Sequence, residues 1–179
     1  MKKITVFFMS VFTGFLGLAQ IETPAPSPSS TLEQMVGLTK VTVTYSRPSM
    51  RGRTVFGDLV PFDKVWRTGA NEATILSTSK EITFGREKLD PGEYTLWTIP
   101  NEDSWTVIVN SEIGQWGVNM EGKANRNPEK DVFSVETGVI KSDKVFEQFT
   151  MAFEEIHDEL ELVLVWDQTM IIVPIDIGN

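Results

Sequence analysis

Apolar and polar residues alternate with a period of two along most of the chain after residue 31. The clearest run, residues 41–46, places three apolar side chains on one face and three hydroxyl groups on the other, as in a strand with one buried face. Further runs of this kind recur at short spacing, at residues 73–79, 81–85, 93–99, 105–110, 132–137, 146–153, 160–166 and 170–175. After residue 20, no ten-residue stretch has a helical period. The best helical candidates, residues 62–67 and 154–158, are long enough for one or two turns.

This pattern predicts an all-β fold, an antiparallel β-sandwich of roughly ten short strands, because half-buried strands must cover their apolar faces with a second sheet. Turn-forming residues separate neighbouring runs at 101–103 and 167–169, and both segments are predicted to be hairpin loops. The side chains expected to point into the sandwich are Val41, Val43, Tyr45, Tyr94, Leu96, Leu162 and Leu164.

The first 31 residues do not follow the strand pattern. Lys2 and Lys3 precede an apolar run at 4–18, and small residues lie at the −3 and −1 positions of a cleavage site after Ala19, which is typical of a secretory signal peptide. The run is shorter than the ~20 apolar residues that a spanning helix needs. The following Pro- and Ser-rich segment predicts a flexible tether. The expected organisation is a signal peptide at 1–19, a tether at 20–31 and one domain at 32–179, exported to the periplasm or the extracellular space, with no membrane span after cleavage.

Composition excludes several functional classes. The chain has 16 Lys and Arg against 25 Asp and Glu, a formal charge of −9, which disfavours binding to the phosphates of a nucleic acid. It has no Cys and one His, so disulfides, thiolate metal sites and sites built on several histidines are excluded. We expect no metal and no cofactor, and the oligomeric state is left open.

Charge is distributed unevenly along the chain. Between residues 40 and 70 lie six basic and two acidic residues, including four of the six arginines. Between residues 141 and 162 the balance reverses, with seven acidic and two basic residues. The use of Arg is informative because its planar guanidinium binds carboxylate, phosphate or sulfate at two points.

The basic segment includes some 25 residues, 46–71, with weak strand signal, and loops of this length in compact domains are usually functional or disordered. We expect ligand-binding residues at Arg47, Trp66, Arg67, Asn71 and Glu72. The two arginines would bind an anion, Asn71 and Glu72 would bond hydroxyl groups, and Trp66 would stack on a ring. No catalytic residue is predicted.

These residues favour a non-enzymatic exported domain that binds a small anionic or carbohydrate ligand. The first alternative is a glycan-directed hydrolase in which Glu72 works with a second carboxylate. The second is a purely structural envelope protein whose arginines pair with its own acids, Glu72 being the acid nearest to Arg67 in sequence. For the pair Arg67 and Glu72, the sequence slightly favours the structural interpretation.

Several motifs together resemble the bacterial secreted family known as domain of unknown function 2911. They are residues 45–49 (YSRPS), 52–53 (GR) with 55–57 (VFG), 59–61 (LVP), 65–73 (VWRTGANEA), 89–100 (LDPGEYTLWTIP) and 115–117 (QWG). The family's usual pattern has alanine at Asp90 and serine at Thr95. The resemblance implies an exported, β-rich domain without an assigned activity, and it supplies no catalytic residues.

Overall fold

The computed structural model describes residues 23–156 and 159–178. This part of the chain forms ten β-strands and one short 3-10 turn, Pro128–Lys130, and it contains no α-helix. The strands are β1 (Ser29–Val36), β2 (Thr39–Ser46), β3 (Thr74–Thr78), β4 (Ile82–Phe84), β5 (Glu87–Leu89), β6 (Gly92–Pro100), β7 (Ser104–Asn110), β8 (Asp131–Gly138), β9 (Ile140–Ile156) and β10 (Glu159–Asp176). The predicted signal peptide lies outside the described residues. No helix within the described ranges has the length and apolar character needed to cross a membrane.

The strands form two antiparallel sheets, which confirms the predicted fold class. The first sheet has six strands in the order β1-β2-β3-β6-β7-β8, and the second has four in the order β5-β4-β10-β9. One hydrophobic core contains side chains from both sheets, such as Val41 and Val43 of β2 and Leu162 and Leu164 of β10. The domain is therefore a sandwich in which each sheet covers the apolar face of the other.

The side chains predicted to point inward do so. Six of the seven are buried, and Tyr94 is half-buried against the same core. At one place the core is almost entirely aromatic, with rings in contact at centroid distances of 4.9–6.3 Å. This aromatic cluster consists of Phe56, Trp66, Trp105, Phe149 and Trp166.

The hairpin predicted at residues 167–169 is wrong. Glu159–Asp176 is one continuous strand, and the turn-forming residues lie at an irregularity in its pairing with β9. Asp167 pairs with Phe146, and Thr169 pairs with Lys141. An advance of two residues along β10 therefore corresponds to an advance of five residues along β9, so β9 bulges here. Asp167 also has a φ of 54°, a conformation that Asp tolerates better than most residues. The same chemistry that favours turns therefore serves here to bend a long strand.

Two other boundaries differ from the sequence predictions. β1 begins at Ser29, so the domain starts within the segment predicted as a tether. The preceding residues are bound to the domain as well, because the carbonyl of Pro28 accepts a hydrogen bond from the backbone N–H of Arg47 at 2.9 Å. Neither helical candidate forms a helix: residues 62–67 form a turn, a bend and the isolated bridge of Trp66, and residues 154–156 belong to β9.

Candidate functional site

The predicted site residues lie on the connection between β2 and β3, residues 47–73, which contains no strand and contacts both sheets. Ser49 forms an isolated backbone bridge with Gln148 of β9, and Trp66 forms one with Thr98 of β6. The weak strand signal of this segment was therefore a correct indication of a long irregular loop. Its course determines which predicted residues can meet.

Trp66 is part of the aromatic cluster and has little ring surface left for a ligand. Its ring stacks on Trp166 at a centroid distance of 5.9 Å and an interplanar angle of 20°. Phe149 meets it at 4.9 Å, edge to face. Its indole N–H donates to the carbonyl of Gly69 at 3.0 Å. Trp66 therefore anchors the loop in the core and contributes only part of its surface to the cleft described below.

Arg47 points to the second sheet. Its Nε donates to the carbonyl of Phe149 at 3.3 Å, and its Nη2 donates to Oγ1 of Thr150 at 2.8 Å. Both partners belong to β9, so the guanidinium joins the loop to the neighbouring sheet. Arg47 therefore holds the loop against the second sheet, and it does not line the cleft that contains Arg67.

The two exposed arginines of the loop also bond to backbone carbonyls. Arg51 donates through Nη2 to Pro26 at 3.0 Å. Arg53 donates to Met50 at 2.8 Å and to Ser49 at 2.7 Å. Three of the loop's four guanidiniums are thus hydrogen-bonded to the protein, although not to the carboxylates that the structural interpretation invoked.

Arg67 differs from the other three. It is half-buried, and its Nε is fully buried without a hydrogen-bond partner. The salt bridges of the described residues do not include it; they join Lys40 to Glu33, Lys88 to Glu81, Lys123 to Glu121 and Arg126 to Asp131. Desolvation by burial lowers the pKa of Arg67 from its ordinary value. The protein thus holds a partly desolvated cation without a neutralising carboxylate, an arrangement that costs free energy.

Arg67 lines a small cleft of about 120 Å³, which we call the Arg67 cleft. Lys64, three residues earlier in the chain, also lines the cleft and supplies a second positive charge. The loop between β7 and β8 contributes Val118, Gly122 and Ala124 to the lining. The cleft therefore combines two cations with a mostly apolar wall.

Asn71 is used structurally. Its side-chain amide donates to the carbonyl of Ser27 and to Oγ of Ser46, both at 3.2 Å, and its backbone carbonyl accepts from Gly117 N–H at 2.9 Å. It has a φ of 60°, which Asn adopts more readily than most residues. Asn71 thus fixes the loop against both β2 and the 115–117 segment.

Glu72 is exposed, and its backbone forms a bridge with Trp116. Within the described ranges it forms no ion pair with Arg67, so the structural pairing favoured by the sequence is wrong. Glu72 lines neither the Arg67 cleft nor either of the two larger clefts described next. Of the five predicted residues, the structure brings only Trp66 and Arg67 together in one cleft.

Two larger clefts lie elsewhere. One, of about 520 Å³, lies beside the β4–β5 turn and β8, where Arg86, Glu87 and Glu136 contribute charges of both signs. The other, of about 310 Å³, is lined by Phe56 and Phe62 of the loop between β2 and β3 and by residues 167–169 of β10. Size alone does not select a site, and neither larger cleft contains an arginine with a buried, unpartnered nitrogen.

Sequence reasoning missed Lys64 as a residue of the Arg67 cleft, and it missed Gly117 as a close contact of Arg67. Lys64 was counted in the basic segment but not assigned to the site, although it lies three residues before Arg67. Gly117 was noted beside Trp116, but its contact with Arg67 is long-range and leaves no local signal. A glycine is required at position 117 because a Cβ there would clash with the side chain of Arg67.

A comparison with known protein families shows which family the chain belongs to. Residues 27–175 match the family described as "Protein of unknown function (DUF2911)", so the chain belongs to this family, as the motifs indicated. No curated protein and no solved structure matches it. The family carries no activity in its description, and the functional argument therefore depends on the geometry of the clefts.

Proposed function

We propose that this protein is an exported, non-enzymatic binding domain that accepts a small oxyanion in the Arg67 cleft. The observation that supports this most strongly is the state of Arg67: a half-buried guanidinium with a buried, unpartnered Nε and no acidic partner. An unpaired buried donor costs about 1–3 kcal/mol. An anion in the cleft would neutralise the charge of this guanidinium and so offset part of the cost of burying it.

The size of the cleft favours an ion over a sugar. A volume of about 120 Å³ corresponds to roughly four water molecules at ~30 Å³ each, which suits a carboxylate, sulfate or phosphate group. Lys64 adds a second cation to the lining of the cleft, and Arg binds such groups in a planar, two-point geometry. The whole chain carries −9, so this local pair of cations is what would make anion binding favourable.

The glycan hydrolase receives no support from Glu72, because this residue is exposed and lies apart from the Arg67 cleft. A hydrolase needs two carboxylates across one cleft. The stacking role proposed for Trp66 is also weakened by its contacts with Trp166 and Phe149. Binding of a small oxyanion is therefore the function that the geometry favours.

Thermal unfolding in the presence of anions tests the proposal. We expect sulfate, phosphate or acetate to raise the Tm of the protein relative to chloride at equal ionic strength. At a concentration tenfold above Kd, the stabilisation is about 1.4 kcal/mol, or roughly 3–6 °C for a domain of this size. Arg67→Lys and Lys64→Gln should each reduce the shift, since they remove the planar fork and the second cation.

Arg86→Lys is the matched control, because it makes the same change at an exposed arginine in a different cleft. It should leave the anion-dependent shift intact. If all three anions fail to stabilise the wild type beyond chloride, or if Arg67→Lys retains the full shift, the proposal is wrong.

The proposed export has its own test. The charged start, apolar run and small residues before position 20 support removal of a signal peptide. Expression of the full chain in a Gram-negative host, followed by mass spectrometry of the periplasmic fraction, should give a protein that begins at Gln20. A product that stays in the cytoplasm and begins at Met1 would contradict export.

A further inference from the structure

The 310 Å³ cleft lies where three distant parts of the chain meet. The loop between β2 and β3 contributes Phe62, the β6–β7 turn contributes Glu102, and β9 and β10 contribute Lys141 and Asp167. We call it the Phe62 cleft. We infer that it is a binding site for a neutral or amino-substituted pyranose sugar, separate from the Arg67 cleft.

Phe56 and Phe62 are the aromatic residues that line the cleft. Phe56 is engaged in the aromatic cluster, whereas Phe62 is half-buried outside that cluster and serves as the aromatic platform. The ring lies close against Gly57: a Cβ added there would be 3.0 Å from its Cε2. Gly57 has a φ of 92°, a conformation that glycine adopts without strain. The absence of a side chain at Gly57 also leaves room for the ring of Phe62. The ring of Phe62 thus packs against the backbone at Gly57, and its remaining surface is a platform for the apolar face of a sugar ring.

Three charged side chains of the cleft have no ion-pair partner among the described residues. The side chains of Glu102, Lys141 and Asp167 form none of the salt bridges of the described residues. Their hydrogen-bonding groups are therefore free to accept from, or donate to, sugar hydroxyls. Asn101, in contrast, is fixed by its bond to Asp63 at 2.7 Å, which holds the turn that carries Glu102.

Asp167 and Gln168 reach this cleft because of the irregularity in β10. The pairing with β9 shifts on both sides of Asp167, and its φ of 54° departs from strand geometry. Bulges of this kind re-aim side chains and recur beside functional sites. Gln168 bonds to the carbonyl of Ser142 at 3.3 Å, which holds the irregular segment against β9.

Charge and size select the ligand class. Two carboxylates and one ammonium group give the cleft a net charge of −1, so it should reject acidic sugars, in contrast to the Arg67 cleft. Its volume corresponds to roughly ten water molecules at ~30 Å³ each, enough for one pyranose ring. An aromatic platform with several uncommitted hydrogen-bonding groups around it is the arrangement by which proteins bind single sugar rings.

Protein-observed NMR titration tests this inference. The probes are the methyl glycosides of glucose, mannose, galactose and N-acetylglucosamine, together with glucosamine and glucuronate, at millimolar concentrations. We expect at least one neutral or amino sugar to shift the amide signals of Phe62, Glu102 and Gln168. Glucuronate should bind at least about tenfold more weakly than glucosamine.

Three variants and one control locate the binding. Phe62→Leu should weaken the bound sugar about tenfold, and Glu102→Gln and Asp167→Asn should each weaken it severalfold. Asp143→Asn makes the same chemical change at an exposed residue of β9 outside the cleft and should have no effect, as should Arg67→Lys. Unchanged amide dispersion shows that each variant is folded. The inference is overturned if none of the probes shifts these signals, if glucuronate binds as tightly as glucosamine, or if Phe62→Leu binds like the wild type.

Discussion

Gly117 lies directly against the side chain of Arg67. A Cβ added at Gly117 would come within 2.8 Å of Arg67 Cβ and equally close to the carbonyl oxygen of Asn71, distances that real Cβ atoms do not reach. The backbone of the 115–117 segment therefore covers Arg67 at a position where only glycine fits. This contact holds the guanidinium in its partly buried position.

Gly117→Ala should consequently destabilise the domain and displace Arg67. Because the obstructing atoms include backbone, the cost should be of the order of overpacking, about 1–3 kcal/mol, and the anion-dependent rise in Tm should diminish. Gly138→Ala is the matched control, since a Cβ there meets nothing within 4 Å. Urea unfolding of both variants measures the difference, and equal stability of the two would show that the contact is unimportant.

Replacing Arg67 by a neutral side chain should not destabilise the free protein. Arg67→Met removes an unpartnered buried donor and a desolvated charge and keeps much of the apolar stem, so stability should stay equal or rise by about 1 kcal/mol. The same variant should lose its response to sulfate and phosphate. Chemical unfolding in a buffer containing only chloride measures the first effect. A loss of several kcal/mol would mean that Arg67 has a structural partner after all.

Arg67 and Glu72 should behave independently. Since they form no ion pair within the described ranges, the effects of Arg67→Met and Glu72→Gln on unfolding free energy should add to within about 0.5 kcal/mol in the double variant. The double-mutant cycle is measured by urea unfolding. A coupling energy above about 1 kcal/mol would restore the structural pairing.

Tyr94 should make the domain sensitive to alkaline pH. Burial, and secondarily the charge of Asp90, raise the pKa of Tyr94 above its ordinary value of 10.0. The folded protein thus holds the phenol proton to higher pH than the unfolded chain, so this contribution to stability is complete below pH 10 and is lost as pH rises through the folded pKa.

Absorbance of tyrosinate and unfolding free energy, both followed against pH, test this behaviour. Tyr94→Phe should lose less stability than the wild type above pH 10. Asp90→Asn should bring the ionisation of Tyr94 closer to 10.0, because it removes the second cause of the shift. A wild-type profile that matches Tyr94→Phe throughout would contradict the prediction.

The sandwich was predictable because its signal is local. Alternation over a few residues, as in Val41, Val43 and Tyr45, determines both strand and buried face. The hairpin at 167–169 failed for a physical reason: Asp167 needs a positive φ in a bulge as much as it would in a turn, and sequence does not distinguish the two. The start of β1 at Ser29 was missed since its pairing with β2 overrides a weak local preference.

The site was only partly predictable because its contacts are long-range. The basic segment and the loop were evident from charge and strand signal, and Trp66 and Arg67 do share a cleft. Which arginine lacks a partner depends on β9, whose Phe149 and Thr150 bind Arg47 more than a hundred residues away in sequence. Similarly, only folding brings Asp167 into the same cleft as Phe62.

The central claim is that Arg67, among the arginines of this loop, is the one that receives an anion. It is tested most directly by NMR of the arginine Nε–H groups during a titration with phosphate, with the Arg67 signal assigned from its loss in Arg67→Lys. We predict a saturable shift of the Arg67 signal, with those of Arg47, Arg51 and Arg53 little changed because their guanidiniums are already hydrogen-bonded. An Arg67 signal that does not move, or equal and non-saturating shifts of all four, would contradict the claim.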